Sequence, residues 1–131
     1  MKQRAFTFGK SEKLCSRKVI DKLFDRGEAF MAFPLRVQYL CDALPEDVQV
    51  QAMFSVSKRR FKRAVKRNLL KRRMREAYRL NKEPLLAVLK EKNKQAGIAF
   101  LFVSKEEMDY HSIEKAMKKA IQRLINEVQG L

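Results

Sequence analysis

Phe61–Leu80 reads FKRAVKRNLLKRRMREAYRL, and because it contains neither glycine nor proline it predicts one uninterrupted helix. Apolar residues recur along it at i, i+4, i+7 and i+8, which is the spacing of a buried helix face; they are Leu70, Met74, Ala77 and Tyr78. At 100° per residue, a polar ridge falls about 180° away; it consists of Asn68, Arg72, Arg75 and Arg79. The helix is therefore expected to dock on a sheet with one side and to present a cationic ridge with the other.

The positive charge of the chain is concentrated around this helix. Residues 58–79 hold twelve Lys and Arg against one acid, Glu76, whereas the 131 residues together carry 30 basic and 15 acidic side chains, a net charge of +15. Repulsion among like charges at this density destabilises the folded chain unless a bound anion offsets it. The sequence therefore predicts a polyanionic partner, with nucleic acid as the leading candidate.

Upstream of the helix, the pattern predicts one helix and two strands. Ser16 is a suitable N-cap for a helix that ends at Gly27. Phe33–Cys41 and Val48–Ser57 alternate as half-buried strands do, and 42–47 is a turn containing a proline. These two strands suggest an antiparallel pair.

Downstream, Pro84–Lys92 predicts a short helix, Ile98–Val103 a strand covered on both faces, and Ser112–Gln129 a C-terminal helix. Ile98–Val103 is expected to be the central strand, since all six of its residues are apolar. The chain is thus predicted to be α+β, a small α/β sandwich forming one domain over 1–131, with 1–12 as a flexible basic arm.

The sequence offers little for a self-contained enzyme. Its clustered acids, Asp21 with Asp25 and Glu106–Glu107 with Asp109, are of the kind that usually serve as surface charges or helix caps, and His111 is the only histidine. Cys15 and Cys41 have no metal-ligand spacing and are expected to be reduced.

Partner and compartment follow from similar arguments. No apolar run reaches the roughly 18–20 residues of a membrane span, so a soluble cytoplasmic protein is expected. No helix-turn-helix pair precedes the basic helix, which favours RNA over DNA.

Two stretches resemble a known family. Phe54–Arg59, FSVSKR, followed by Ala64–Arg79, AVKRNLLKRRMREAYR, is similar to the signature of the bacterial ribonuclease P protein component. There, a strand ending in Ser-Lys-Lys leads to a helix reading Ala-Val-x-Arg-Asn-x-x-Lys-Arg-x-x-Arg-Glu. Residues 13–27 also resemble the opening of that family.

The resemblance implies a fold and a function. It implies a sheet of about four strands in the order αββ(β)αβα, with a left-handed crossover between parallel strands 48–57 and 98–103. It implies the protein subunit of a ribozyme that removes the 5′ leader from precursor tRNA, binding both the catalytic RNA and the leader. Catalysis would belong to the RNA subunit with Mg²⁺ held mainly by RNA, so no catalytic or metal-ligating residue is expected in the protein.

The resemblance also assigns binding residues. Those expected to contact the catalytic RNA are Lys66, Arg67, Asn68, Lys71, Arg72, Arg75 and Arg79. Those expected to line a leader-binding cleft between the first helix and the sheet are Ile20, Phe24, Lys58 and Arg59. Ile20 stands where the family usually has an aromatic residue, and Phe24 has an alternative interpretation as a plain core residue.

The chain also departs from the family pattern between its two matching stretches. The loop 60–63 is one residue longer than in many members, so its path is open, and Arg73 stands where the family is often apolar.

Two other functions remain open at this point. A ribosomal or RNA-assembly protein could use the same basic helix to bind structured RNA. A protein-only nuclease would need the sparse acids to form a metal site.

Overall fold

The computed structural model describes residues 8–131. Within them lie a short 3₁₀ turn at Lys10–Glu12, four helices and four strands. The helices are α1 (Arg17–Arg26), α2 (Ala64–Asn81), α3 (Glu83–Glu91) and α4 (Tyr110–Gln129). The strands are β1 (Glu28–Ala32), β2 (Leu35–Cys41), β3 (Val50–Val56) and β4 (Ala96–Phe102). The α+β class and the three predicted strand regions are confirmed.

The strands form one mixed sheet in the order β1-β2-β4-β3. β4 is central as predicted, antiparallel to β2 and parallel to β3. The predicted antiparallel pairing of 33–41 with 48–57 is therefore wrong, because β4 lies between them. The chain from Cys41 to Val50 is too long to enforce a hairpin, and the wholly apolar β4 gains more from a position with neighbours on both edges.

The parallel pair β3 and β4 is connected through α2 and α3, as the resemblance implies. The left-handed sense of that crossover stays a prediction, since strand pairing alone does not define it.

Strand β1 was not predicted from the residue pattern. Glu28–Ala32 is a five-residue strand with two alanines, which gives a weak periodic signal. The strand predicted to begin at Phe33 instead begins at Leu35, and Phe33 with Pro34 forms the turn between β1 and β2.

One face of the sheet, here called the inner face, packs against α2, α3 and α4. The predicted apolar stripe of α2 is confirmed, since Leu70, Met74, Ala77 and Tyr78 are the residues that this helix buries. Phe100 of β4 is fully buried there, with ring centroids 5.5 Å from both Phe54 and Tyr78. The main hydrophobic core therefore lies between the sheet and these three helices.

Of the four helices, only α1 packs on the opposite, outer face, and it crosses the strands from β3 to β2. Just before the helix, Leu14 N–H donates to Ala52 of β3, and Val19 packs over Gly97 of β4. Near its end, the side-chain amide of Gln38 on β2 donates to the Leu23 carbonyl at 3.4 Å.

The predicted ends of α1 are confirmed. The Ser16 hydroxyl accepts from Val19 N–H, and Gly27 is the C-cap. Gly27 has an ordinary negative φ, so a left-handed conformation is not what requires glycine there. A Cβ at this position would lie 2.3 Å from the Leu23 carbonyl oxygen and 2.8 Å from that of Tyr39, so the close approach of helix and strand requires it.

The predicted N-terminal arm is only partly described, since residues 1–7 lie outside the described part of the chain. Residues 8–12 do not form an arm. Phe8 packs edge-on against Phe54 and Tyr78, and Glu12 accepts a hydrogen bond from the buried Lys82 ammonium. The Phe8 contacts attach this segment to β3 and α2, and the Glu12 contact attaches it to Lys82 directly after α2.

Two helix starts differ from prediction by two or three residues. α2 begins at Ala64 rather than Phe61, because 58–60 form a turn. α4 begins at Tyr110, because the Asp109 carboxylate caps it by accepting from Ser112 N–H at 2.9 Å. None of the helices within residues 8–131 is long and apolar enough to cross a membrane.

Candidate nucleic-acid interface

The exposed ridge of α2 is cationic and only partly engaged. Asn68, Arg72 and Arg75 are exposed, and none of the three has a hydrogen-bonded or ion-paired side-chain partner within residues 8–131. Lys71, on the flank of the ridge, is half-buried and likewise has no acidic partner there. Arginine presents a planar fork of donors that matches phosphate oxygens, and asparagine can both donate and accept.

The other three predicted RNA-contacting residues form hydrogen bonds or ion pairs within the protein. Arg67 donates through Nη1 to the carbonyls of Phe61 and Lys62, at 2.9 and 2.8 Å, and so fixes the loop before α2. Arg79 donates through Nε and Nη2 to Glu76 one turn earlier, which lowers the pKa of that carboxyl. Lys66 contacts Glu107 at 2.5 Å. These residues would have to exchange partners or share them to contact RNA.

Glu107 connects α2 to the loop before α4. Its second carboxylate oxygen accepts from Arg73 at 2.9 Å, and Arg73 also donates to the Met108 carbonyl at 2.7 Å. The hydrogen bonds from Lys66 and Arg73 hold the pKa of Glu107 below its usual range. Arg73, a departure from the family pattern, is thus a structural anchor.

The neighbouring acids do not assemble into a metal centre with Glu107. Asp109 caps α4, and the bond from Ser112 N–H lowers its pKa. No group of three side chains that could hold a metal ion occurs within residues 8–131.

The outer face of the sheet has an open half. Cross-strand partners point to the same side, so one row on this face runs Met31, Arg36, Leu101, Ser55 across β1, β2, β4 and β3. α1 covers the rows at Gly97 and Ala99, nearer the other end of β4. The row at Leu101 therefore lies beyond the helix, and the helix flank and this row form a cleft.

The two predicted cleft residues on α1 face this open half. Val19 lies on the opposite flank, beside Gly97, Leu40 and Ala43. Ile20 and Phe24 are displaced from Leu23 toward the other flank, by about 60° and 100° at 100° per residue. Ile20 is half-buried against the small cluster that includes Met53 and Leu101.

Phe24 is 43% exposed and belongs to neither hydrophobic core cluster. Its ring is available to a ligand rather than packed as a core residue.

Lys58 and Arg59 lie at the same end of the sheet. They form an exposed turn directly after β3, in which Arg59 N–H donates to the Ser57 hydroxyl at 3.1 Å. Beyond them, the Arg60 guanidinium donates to the Val103 carbonyl, and Phe61 packs on Phe102 with ring centroids 5.9 Å apart. These contacts define the loop path that the sequence left open and place both cations at the rim of the cleft.

The ridge and the cleft meet at the β3 edge of the sheet. A shallow cavity of about 190 Å³ separates Arg75 on α2 from Lys13 and Leu14 just before α1, and Met53 of β3 contributes to its lining. Met53 also contacts the cluster under α1. Lys13 and Leu14 pair with Ala52 at this edge, so a strand that passes from one surface to the other would cross them as well as β3.

Comparison with known proteins identifies the family of this chain. The family model described as Ribonuclease P matches residues 8–125, which include the ridge, the cleft and the loop between them. This chain belongs to the ribonuclease P protein family. The family is that of the protein component of an endoribonuclease, and the resemblance found in the two sequence stretches is confirmed over nearly the whole chain.

Two ribonuclease P protein components illustrate the relationship. That of Porphyromonas gingivalis is 46% identical over 124 residues, covering 93% of this chain and 90% of the relative. That of Chlorobium phaeobacteroides is 31% identical over 128 residues, covering 92% and 86%.

Solved structures of ribonuclease P proteins share the fold. The Thermotoga maritima protein superposes with a TM-score of 0.66 at 21% identity, covering 86% of this chain and 96% of that one. A mutant of the Staphylococcus aureus protein gives 0.69 at 19% identity, covering 87% and 88%.

The residues that position the ridge of α2 were not predicted from the sequence. Nothing in the sequence indicates that Arg60 and Arg73 bond to the rest of the protein, and Glu107 was expected to be a surface charge or a helix cap. No local spacing links Glu107 to α2, since Arg73 lies 34 residues before it. Strand alternation puts Arg36 on the side opposite Leu35 and Val37, but only the sheet order shows that this side borders the cleft.

Proposed function

We propose that this chain is the protein subunit of a ribonuclease P ribozyme, and that it binds both the catalytic RNA and the single-stranded 5′ leader of precursor tRNA. The observation that carries the proposal is the adjacency of two different binding surfaces at one sheet edge. The α2 ridge offers charged donors, which suit folded RNA backbone, and the cleft offers an exposed ring beside cations, which suits a single strand.

On the ridge, Asn68, Lys71, Arg72 and Arg75 would make the first contacts with catalytic RNA, since no acid of the described chain engages them. Lys66 and Arg79 would add to these contacts by sharing Glu107 and Glu76 with RNA. Arg67 would act mainly by fixing the start of α2 through its bonds to Phe61 and Lys62. Each phosphate contact releases counterions, so binding should weaken steeply with salt.

In the cleft, Phe24 would stack on a leader base while Lys58 and Arg59 meet leader phosphates. A base stacked on an aromatic ring contributes about 1–3 kcal/mol. Ile20 would give apolar contact without stacking. The protein would recognise the leader as a single strand whatever its sequence, because these groups form no hydrogen bonds with base edges.

The chemistry would be endonucleolytic removal of the leader, carried by the RNA subunit with Mg²⁺ held mainly by RNA phosphates. The role of the protein is then to orient the leader and to stabilise the folded RNA near the cleavage point. Neutralising phosphates there lowers the amount of divalent ion that the RNA needs. A location in the bacterial cytoplasm goes with this function and stays a prediction.

The test is reconstitution of the purified full-length chain with a bacterial ribonuclease P RNA and a precursor tRNA at low Mg²⁺. We expect leader removal in the mixture to be much faster than with RNA alone, and no cleavage by protein alone. An unchanged RNA rate, together with tight binding of ribosomal RNA fragments, would contradict the proposal and favour an RNA-assembly protein. Cleavage by protein alone would favour a protein nuclease.

A further inference from the structure

The β1–β2 hairpin contributes two exposed side chains to the open half of the outer face. Met31 and Arg36 are direct cross-strand partners, and Arg36 is in turn opposite Leu101 of β4. Met31 is 53% exposed and Arg36 is also exposed, whereas Phe30 and Val37, the adjacent pair on the inner face, are buried. The hairpin thus extends the cleft floor beyond the residues assigned so far.

The Arg36 side chain is not engaged by any other residue of the described part of the chain. No hydrogen bond or ion pair of its side chain occurs among residues 8–131, whereas Arg17, Arg26, Arg79 and Arg123 all face carboxylates. Its strand neighbours on this face, Met31 and Leu101, are apolar. A guanidinium in such a setting suits a phosphate, and the polarisable methionine beside it suits the face of a base.

We propose that Met31 and Arg36 form a distal subsite for the single-stranded 5′ leader of precursor tRNA, in which Arg36 binds a phosphate and Met31 contacts a base. The inference rests on the proposed function and deepens it. The strand would enter at Lys58 and Arg59 beside β3, pass Phe24 and end at the hairpin. Three strand spacings separate β3 from β1, about 14 Å, so the subsite takes leader nucleotides farther from the cleavage point.

The ordering along the cleft follows from the position of the ridge. α2 follows β3 through the loop that carries Lys58 and Arg59, and its Arg75 borders the β3 edge. The catalytic RNA, and with it the cleavage point, is therefore on the β3 side. β1 is at the opposite edge of the sheet, so a leader of only one or two nucleotides would not reach Arg36.

The experiment uses the reconstituted holoenzyme and a series of precursor tRNAs with leaders from one nucleotide to about ten, a span within the site sizes of single-strand-binding domains. Arg36→Ala should bind mature tRNA and the shortest precursors as the wild type does. For long leaders, it should lose about fourfold in affinity at 0.15 M salt, with a log–log salt slope flatter by about 0.7. Arg36→Lys should recover most of the salt slope, because the charge is retained.

Two further variants control for charge and for apolar contact. Lys118→Ala on α4, which packs on the inner face, removes an exposed cation that has no acidic partner among residues 8–131, and it should leave the whole leader-length series unchanged. Met31→Ala should weaken long-leader binding without changing the salt slope, and Met31→Leu should restore it.

The outcomes separate the subsite from the proposed function. If the wild type prefers long leaders and Arg36→Ala matches it at every length, the subsite is wrong while the proposed function stands. Equal loss for mature tRNA would also overturn the subsite, because Arg36 would then contact another part of the complex. If the wild type does not distinguish precursor from mature tRNA, leader binding itself fails and the subsite fails with it.

Discussion

The two faces of the sheet differ in how much apolar surface they bury and in what they leave exposed for binding. The inner face is covered by three helices and buries apolar side chains from every strand, including Phe30, Val37, Val56 and Phe100, the last without exposed surface. The outer face carries one short helix over a small buried cluster of Leu14, Leu23 and Ala99, and the row at Leu101 lies beyond that helix. Burial of apolar surface drives folding, so the inner face supplies most of the stability. The outer face can therefore present cations and exposed apolar groups for binding.

The largest test of this division uses neighbouring residues of β4. Phe100→Ala should lower the free energy of unfolding by about 3–5 kcal/mol, because it leaves a cavity between Phe54 and Tyr78. Leu101→Ala, one residue along on the outer face, should cost less, since Leu101 is only partly buried and belongs to the smaller cluster. Denaturant unfolding of both variants measures the difference. Equal losses would mean that the outer face is as important to folding as the inner one.

A second test measures both stability and binding for a variant of the outer face. Phe24→Ala should leave the unfolding free energy nearly unchanged, since its ring is 43% exposed and lies outside both core clusters. It should weaken holoenzyme binding of precursor tRNA by about 1–3 kcal/mol while leaving mature tRNA binding alone. Phe24→Tyr keeps a stacking surface and should restore binding, whereas Phe24→Leu should not. A drop in stability instead would return Phe24 to the core.

The third test concerns the ridge of α2, where charge rather than apolar contact is expected to act. Arg72→Ala should weaken catalytic-RNA binding about four- to sixfold at 0.15 M salt and flatten the log–log salt slope by about 0.7–0.9, the value of one phosphate contact. Lys118→Ala on α4 removes the same charge from a site away from the ridge and serves as the matched control. If both variants weaken binding equally, only net charge matters and the ridge is not the RNA contact.

The sequence predicted the inner face better than the outer one, for a physical reason. The stripe Leu70, Met74, Ala77, Tyr78 and the wholly apolar β4 are periodic signals, and periodicity reports which side of an element is buried. Strand pairing is not periodic, so the order β1-β2-β4-β3 could not be read from the residues and the expected 33–41 with 48–57 pair was wrong.

The site was predictable to the same limited extent. The positions of Asn68, Arg72 and Arg75 on one exposed side follow from helical geometry alone. The assignment of Phe24 and Lys58 to a cleft came from the family resemblance, and the structure adds which half of the face is open. The partners of Lys66 and Arg67 could not be predicted, for two different reasons. The contact of Lys66 with Glu107 depends on tertiary folding, and Arg67 bonds to carbonyls of a loop whose path was unknown.

The smallest expected effect concerns Glu107, which forms ion pairs with Lys66 and Arg73 of α2. Because these cations lower its pKa relative to the unfolded chain, ionised Glu107 stabilises the fold at neutral pH, and that contribution is lost as pH falls through the lowered pKa. Glu107→Gln should therefore flatten the change in thermal stability between pH 7 and about pH 3. Glu106→Gln, at the exposed neighbouring position, should not. The same Glu107→Gln variant leaves Lys66 without its acid, so catalytic-RNA affinity should rise slightly and its salt dependence should steepen. Wild-type pH dependence together with unchanged RNA affinity would mean that the contact of Glu107 with Lys66 and Arg73 contributes neither to folding nor to the charge of the ridge.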